Sequence, residues 1–129
     1  APVWMVVHVN HPDELTPEVR GCLGQLVDAG IPVHSQAVLL RGVNDDVDTL
    51  VRLVQTLVTL RVRPYYLHHP DRVTGNAAFR LSVEEGLSLY DALRRRVSGL
   101  ALPQYVIDPP DGTGKVPVAV WAARSVPSV

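Results

Sequence analysis

The sequence predicts an α/β domain built around a parallel sheet, and three observations support this prediction. Short apolar segments rich in valine, leucine and tyrosine predict strands at residues 3–9, 31–40 and 62–68. Amphipathic helical patterns separate these segments, so that strands and helices alternate along the chain. The apolar segments are nearly continuous, which is typical of parallel strands covered on both faces. The alternation fits either an open doubly wound sheet or part of a barrel whose first strands are missing.

Each predicted helix begins at an identifiable capping position. Thr16 caps the first helix. The second helix follows Asn44 and has the strongest apolar periodicity in the sequence. Ser82 and Glu85 form the capping box of the third helix. These three starts fix the order of the helices between the predicted strands.

The end of the chain has a different character. A fourth strand is predicted at residues 104–107, followed by a turn rich in proline and glycine and a short extended piece. We therefore divide the chain into βα units over residues 1–100 and a final strand, glycine/proline-rich loop and tail over residues 101–129.

Composition narrows the functional classes. The 129 residues carry a formal charge of −1, and 47% of them are hydrophobic. This balance predicts one folded domain, and it gives no electrostatic basis for binding nucleic acid or an anionic membrane. No apolar run reaches the length of a membrane span, and no signal peptide opens the chain. We therefore expect a cytoplasmic protein.

The single cysteine, Cys22, rules out an internal disulfide and fits a reducing compartment. It cannot hold an iron–sulfur cluster by itself. Its place on the predicted apolar face of the first helix predicts a small buried side chain. The chain opens inside an apolar strand without an initiator methionine, so we expect that it was cut from something longer.

Polar residues concentrate where the predicted strands end, which is where parallel α/β sheets bind ligands. They are His8, Asn10, His11, His34, Gln36, His68, His69, Asp71 and Asp108. Asn10 and its neighbours would equally serve as turn and cap residues. The histidines lack a recognisable zinc-ligand spacing, so we predict no metal site from them.

The segment around Lys115 carries the most specific chemistry. Gly112 and Gly114 precede the lysine, but the segment lacks the first glycine of a phosphate-binding loop, and Val116 stands where Ser or Thr is needed. One interpretation is a turn with a solvated lysine. The other is a lysine on a glycine loop, mobile enough to form and release a Schiff base.

Taken together, these segments resemble the lysine 2,3-aminomutase family from about Pro2 to Val118. The matching pieces are PVWMVVHVNHPDELTPEV, AGIPVHSQAVLLRGVNDD, RVRPYYLHHPD, RVSGLALP and YVIDPPDGTGKVPV. The resemblance implies a parallel-stranded partial (β/α) TIM-like barrel of the radical-SAM type, of which this chain is the C-terminal part.

The resemblance also implies a reaction. In such enzymes S-adenosylmethionine on a [4Fe–4S] cluster yields an adenosyl radical that abstracts hydrogen from the substrate's β-carbon. Pyridoxal phosphate carries the amino group from carbon 2 to carbon 3, which turns L-lysine into β-lysine. Such an enzyme is expected to be a homo-oligomer at full length.

Position by position, Lys115 matches the lysine that forms the aldimine with pyridoxal phosphate. Asp71 and Asp108, 37 residues apart, match the carboxylates that hold the distal ammonium of the substrate. His8 and Gln36 match positions that face S-adenosylmethionine. The pair of acids favours lysine over glutamate as substrate.

Three departures leave alternatives open. Asp111 and Thr113 interrupt the glycine run that precedes the lysine in the family. The stretch from His68 to Gly75 is more similar to the branch that prepares β-lysine for elongation factor P. The DPPDGTGK segment is more similar to the enzymes that act on free lysine. The cluster's Cys-x3-Cys-x2-Cys motif is missing, so this chain alone is expected to be inactive. A non-catalytic α/β module, binding pyridoxal phosphate or a partner, and an unrelated doubly wound protein remain the rival interpretations.

Overall fold

A computed structural model describes residues 2–70, 80–109, 111–112 and 114–125 of the chain. In these residues one sheet has the strand order β1-β2-β3-β4-β5. Strands β1 to β4 pair in parallel, and β5 pairs with β4 in the antiparallel sense. The predicted α/β fold with a mostly parallel sheet is confirmed. The strands are β1 (Met5–His8), β2 (Val33–Val38), β3 (Arg63–His68), β4 (Gln104–Ile107) and β5 (Val116–Pro117).

Helices connect the parallel strands. They are α1 (Pro17–Asp28), α2 (Val47–Thr59) and α3 (Val83–Arg96), with a 3₁₀ turn at Pro12–Glu14 before α1; a fourth helix, α4 (Val118–Ser125), follows β5. Among the described residues, no helix is both long enough and apolar enough to cross a membrane.

The starts of the first and third helices agree with the prediction, whereas α2 begins at Val47, two residues later than the predicted start after Asn44. The Thr16 hydroxyl accepts a hydrogen bond from the Val19 N–H at 3.3 Å. Asp46 caps α2 through the Thr49 N–H at 2.8 Å. Ser82 and Glu85 form a complete capping box at the start of α3. Caps of this kind satisfy backbone donors that the first helical turn leaves free.

The fourth helix was not predicted. We expected a short extended piece after the glycine loop, but β5 ends after two residues and α4 follows directly. The segment alternates valine with alanine at its start, which favours a strand by propensity alone. Packing of α4 against α3, β4 and β5 overrides that preference.

The helices cover one face of the sheet. Ser35, Ala37 and Leu67 are buried on this face, in or beside the core formed with the helices. The alternating residues of β2 are only half-buried. Our expectation that both faces are covered is therefore wrong for the described residues. We call the uncovered side the open face.

The strand order excludes one of the two predicted architectures for this sheet. A doubly wound sheet reverses its strand order partway, and right-handed crossovers then place helices on both faces. Here the spatial order follows the chain order without a reversal. Right-handed crossovers in such a sheet put every connecting helix on the same side.

The expected burial of Cys22 is also wrong. Its side chain is exposed, and Leu23 is the buried residue of α1. Helix α1 touches the sheet lightly, mainly at β2. The narrow contact leaves Cys22, next to Leu23 on the helix surface, in solvent.

An irregularity in the pairing of β2 with β3 orients the tyrosines of β3. Ser35 pairs with Pro64, but Gln36 pairs with Tyr66, so that Tyr65 is passed over. Proline has no N–H to donate to a ladder, which favours an irregularity at that point. As a result, Tyr66 lies beside Gln36 on the open face.

A wholly buried amide joins the ends of β1 and β2 to the approach to α2. The Asn44 side chain accepts a hydrogen bond from the Leu40 N–H at 2.8 Å. It donates to the carbonyls of Asn10 at 2.8 Å and Val38 at 2.9 Å. The Asn10 side chain in turn accepts from the Val38 N–H at 2.9 Å. Asn44 thus satisfies three backbone groups from two strand ends.

We predict that Asn44→Ala lowers the free energy of unfolding by about 2–4 kcal/mol, because buried backbone groups lose their partners. Urea denaturation measures this change. Gln55→Ala is the matched control, since Gln55 is an exposed amide on α2, and we expect a change within about 0.5 kcal/mol. Equal stability of the Asn44 and Gln55 variants would contradict the assignment.

Candidate functional site

The open face brings together side chains from the C-terminal ends of three parallel strands. His8 at the end of β1 pairs in register with Gln36 on β2, and Gln36 pairs with Tyr66 on β3. His68 lies two residues beyond Tyr66, on the same face. The Gln36 Oε1 and His68 Nε2 atoms are 2.6 Å apart. This hydrogen bond fixes the imidazole relative to two strands.

The hairpin of β4 and β5 supplies an acid and a base to the same face. Ile107 pairs with Val116, and both are buried on the helix side. Asp108 and Lys115 are the adjoining residues, so strand alternation directs them to the open face. Both are exposed. The register therefore places a carboxylate across from an amine.

Two glycines shape the turn that carries Lys115. Gly112 has φ +72 and Gly114 has φ +90. Residues with a Cβ rarely adopt this left-handed region, so glycine suits both positions. The turn returns the chain antiparallel to β4 within a few residues.

The lysine reaches back over β3. The Lys115 Nζ atom lies 5.6 Å from the centroid of the Tyr66 ring. This distance is within the range of a cation–π interaction. The amine therefore lies over an aromatic ring, near the imidazole of His68, although the side chain as a whole is exposed.

The surroundings of His68 favour its neutral form. Burial lowers the pKa of His68, and the positive charge of Lys115 lowers it further, while the carboxylate of Asp108 acts in the opposite direction. With Gln36 Oε1 as acceptor, Nε2 carries the hydrogen and Nδ1 keeps a lone pair. The site thus has a neutral imidazole beside an amine.

Tyr66 also stays neutral over a wider pH range than an exposed tyrosine. Its pKa is raised by a hydrogen bond with Tyr65, by burial and by the negative charge of Asp108. The ring under Lys115 is therefore a protonated phenol at neutral pH.

Aromatic rings continue from this point along the open face. Consecutive ring centroids lie 4.3–5.7 Å apart, at distances typical of aromatic pairs. Trp4 is 65% exposed, so the row ends in solvent. Neighbouring rings are tilted or edge-on, with interplanar angles of 36° to 83°, so this aromatic strip offers single ring faces to a planar ligand. The row consists of Trp4, His34, Tyr65, Tyr66 and His68.

Four of the five predicted site residues share the open face: His8, Gln36, Asp108 and Lys115. Asp71 lies outside the described residues. The sequence did not suggest the roles of Tyr66 and His68, although both stand in the predicted strand-end segment. Their placement depends on the irregular pairing opposite Pro64, and periodicity carries no signal of that.

The histidines do not converge as metal ligands. In the described part of the chain, no three His, Cys, Asp or Glu side chains form a group that could hold a metal ion. His11 Nδ1 accepts a hydrogen bond from the Asp13 N–H at 3.1 Å. His69 is buried and contacts Tyr105.

Comparisons with known proteins identify relatives of this segment. The chain is 47% identical over 117 residues to L-lysine 2,3-aminomutase of Fusobacterium nucleatum, and the aligned segment is 91% of this chain and 28% of that protein. It is 41% identical over 117 residues to glutamate 2,3-aminomutase of Clostridioides difficile, with the same 91% and 28% coverage. The chain thus spans less than a third of the length of these two relatives. No family model matches the sequence.

One solved structure supports the fold independently. A radical SAM methyltransferase from Sphaerobacter thermophilus superposes with a TM-score of 0.52 and 24% identity, over 80% of this chain and 33% of that one. At this identity the similarity shows the fold alone. The chain therefore has an α/β fold similar to that of a radical SAM enzyme.

We predict that stability falls as the pH drops below 6.5, the usual histidine pKa. Burial lowers the pKa of both His68 and His69. Between the lowered folded-state pKa and 6.5, the unfolded chain binds more protons, so the free energy of unfolding decreases as the pH falls. The slope is at most about 1.4 kcal/mol per pH unit for each histidine, and we expect His68, whose ring partly faces solvent, to contribute less than this limit.

Urea denaturation between about pH 5.5 and pH 8 measures this slope above the range in which carboxylates titrate. His68→Gln and His69→Gln should each flatten it. Constant stability of the unmodified chain, or stability that increases toward acid, would show that the histidines are not held neutral by the fold.

Proposed function

Because the chain belongs, over the segment it matches, to the lysine 2,3-aminomutase family, we propose that it is the cofactor- and substrate-binding segment of an amino-acid 2,3-aminomutase. The reaction moves the amino group of L-lysine from carbon 2 to carbon 3. In this proposal the sheet is the C-terminal part of a partial (β/α) barrel of the radical-SAM type, and the open face lines its interior.

A single observation carries the proposal. Lys115 is the only lysine of the sequence, and its amine lies over Tyr66 on the open face. The other strongly basic side chains are arginines, whose guanidinium groups stay protonated at neutral pH. Lys115 is therefore the one side chain able to form a Schiff base with an aldehyde.

The residues around Lys115 fit pyridoxal phosphate. The site offers an amine, an aromatic strip and a neutral imidazole, which suit the aldehyde and the planar ring of that cofactor. When bound, pyridoxal phosphate supplies a carbonyl that takes up an amino group and a conjugated ring that stabilises an adjacent unpaired electron. Lys115 and Tyr66 would hold it.

His68 prepares the amine for this role. An ammonium has no lone pair, so Lys115 must lose a proton before it acts as a nucleophile. His68 Nδ1 keeps its lone pair while Gln36 holds Nε2. In the proposal this nitrogen accepts a hydrogen bond from Lys115 while the proton of the ammonium leaves to solvent, and the pKa of His68, lowered mainly by burial, keeps the imidazole unprotonated at neutral pH.

Asp108 provides the charge that selects the substrate. Its carboxylate lies on the open face across from Lys115, and we propose that Asp108 and Asp71 together hold the distal ammonium of lysine. One relative is named for lysine and another for glutamate. Carboxylates favour the cationic substrate, because an anionic side chain would be repelled.

His8 and Gln36 stand at the ends of β1 and β2, and we propose that they face S-adenosylmethionine. The residues of this chain do not fit the iron–sulfur cluster, because the sequence has one cysteine, exposed on α1, whereas such clusters are held by several thiolates. No radical step is assigned to these residues. The chain alone is therefore proposed to bind cofactor and amino acid without turnover.

Cofactor attachment is tested by incubating the chain with pyridoxal phosphate, reducing with borohydride and mapping the labelled peptide by mass spectrometry. We expect the label on Lys115, because it is the only lysine. Lys115→Arg is the matched control, since arginine keeps the positive charge but forms no Schiff base. Side-chain label that persists in Lys115→Arg, or label on the N-terminal amine alone, would refute the assignment.

Substrate charge is tested by titrating the pyridoxal-phosphate-loaded chain with lysine and with norleucine, which lacks the distal ammonium. We expect Asp108→Asn to weaken lysine binding by about tenfold, the loss of one charge-assisted hydrogen bond. Norleucine binding should change little. Equal losses for both amino acids in Asp108→Asn would exclude recognition of the ammonium by Asp108.

A further inference from the structure

A buried pair of polar side chains lies behind the open face, outside the proposed machinery. His69 directly follows β3 and is 6% exposed, and Tyr105 of β4 is 5% exposed. The His69 Nδ1 and Tyr105 hydroxyl oxygen are 2.6 Å apart. The His69 N–H also donates to the Val106 carbonyl at 2.8 Å. Side chain and backbone therefore both tie the end of β3 to β4.

A glycine of α3 makes room for this pair. A Cβ at Gly86 would lie 1.9 Å from the Tyr105 hydroxyl oxygen and 3.2 Å from His69 Nδ1. Gly86 is absent from the glycines with positive φ, so its backbone conformation does not require glycine. Glycine inside a helix lowers helix stability relative to alanine. The structure explains the glycine at position 86 by the space that the Tyr105 hydroxyl occupies.

The imidazole of His69 reaches a third element. The backbone of Leu81 lies close enough to act on His69, and it opposes the lowering of the His69 pKa by burial. Leu81 immediately precedes Ser82, the cap of α3. One side chain thus bonds to β4 at the end of β3 and also lies near the approach to α3.

The same approach is held from the other side. The Arg41 Nε atom donates to the Arg80 carbonyl at 3.1 Å, and its guanidinium pairs with Glu85 at 2.8 Å. Glu85 is also the acid of the capping box. The chain entering α3 is therefore anchored by Arg41 on its exposed side, while His69 lies on its buried side.

We propose that His69 and Tyr105 are positioning residues that fix the spacing between the ends of β3 and β4. The inference rests on the proposed function. Tyr105 stands three residues before Asp108, and His69 stands two residues before Asp71 in the sequence. Neither side chain lies on the open face. Their hydrogen bond holds the end of β4, from which the proposed substrate carboxylate Asp108 extends, against the end of β3.

The bridge supports specificity because a carboxylate that binds the ammonium, here Asp108, must hold a defined position relative to Tyr66 and His68 on β3. Parallel pairing alone fixes the strand ends through Tyr66–His68 and Gln104–Val106. The His69 bridge adds a link one residue beyond this ladder. Loss of the bridge should reduce discrimination for the ammonium without removing the amine of Lys115.

The test compares Tyr105→Phe with Tyr90→Phe in the pyridoxal-phosphate-loaded chain. Tyr90 is the matched control, since its ring stacks on Tyr105 at 5.3 Å between centroids. Its hydroxyl donates to the Pro103 carbonyl at 2.6 Å, just before the start of β4. Each variant loses one hydroxyl from the same pair of stacked rings. The Tyr105 hydroxyl bonds to His69 at the end of β3, whereas the Tyr90 hydroxyl bonds to the chain just before β4.

The readout is the ratio of lysine to norleucine affinity, followed by absorbance. We expect Tyr105→Phe to lower this ratio about tenfold, the effect of one misplaced charged hydrogen bond. Tyr90→Phe should leave the ratio unchanged, and both variants should still be labelled at Lys115. His69→Gln breaks the same bridge independently and decides the question if Tyr105→Phe does not fold.

The outcomes separate the two proposals. An unchanged ratio in Tyr105→Phe or His69→Gln overturns the positioning role and leaves the aminomutase proposal intact. Equal losses in Tyr105→Phe and Tyr90→Phe also overturn it, because general destabilisation then explains the effect. An unmodified chain that does not prefer lysine overturns the proposed carboxylate pair and the inference with it.

Discussion

The arrangement of the sheet depends on the buried amide of Asn44. Its side chain is fully enclosed and bonds to backbone groups of Leu40, Asn10 and Val38. Strands that end in the protein interior would otherwise leave these groups unsatisfied, which is costly away from water. His8 and Gln36 each stand two residues before a backbone group that Asn44 fixes. The geometry of the site on the open face therefore depends on the Asn44 amide, which is not itself part of that site.

Local signals in the sequence predicted the parts of the fold that depend on neighbouring residues. The caps at Thr16 and Ser82 operate within one helical turn, and the strand at Gln104–Ile107 has bounds identical to those predicted. Helix α4 was missed because its stability comes from packing on distant elements. Cys22 was misplaced because amphipathicity does not reveal how closely a helix approaches the sheet.

The site was predictable only in part, for a similar reason. Lys115 and Asp108 were identified from a motif, and alternation along a hairpin is enough to bring them together. The contact of Lys115 with Tyr66 depends on the skipped residue opposite Pro64, which exists only once two strands pair. The need for glycine at position 86 was even less predictable, because it depends on the Tyr105 hydroxyl, which approaches Gly86 only in the folded chain. Fold similarity adds little at this level, because one fold supports many reactions, and the structural neighbour is named a methyltransferase.

The scarcity of lysine has a consequence for handling a reactive carbonyl. Aldehydes condense with unprotonated primary amines wherever these occur, so a lysine-rich surface would collect adducts at random. In this chain arginine supplies the remaining strongly basic side chains, and a guanidinium is a poor nucleophile at neutral pH. A carbonyl compound that diffuses onto the molecule thus meets one competent side chain, already seated on an aromatic ring. The amino-acid composition of the chain therefore limits which side chain can react with a carbonyl, even before the shape of the site has any effect.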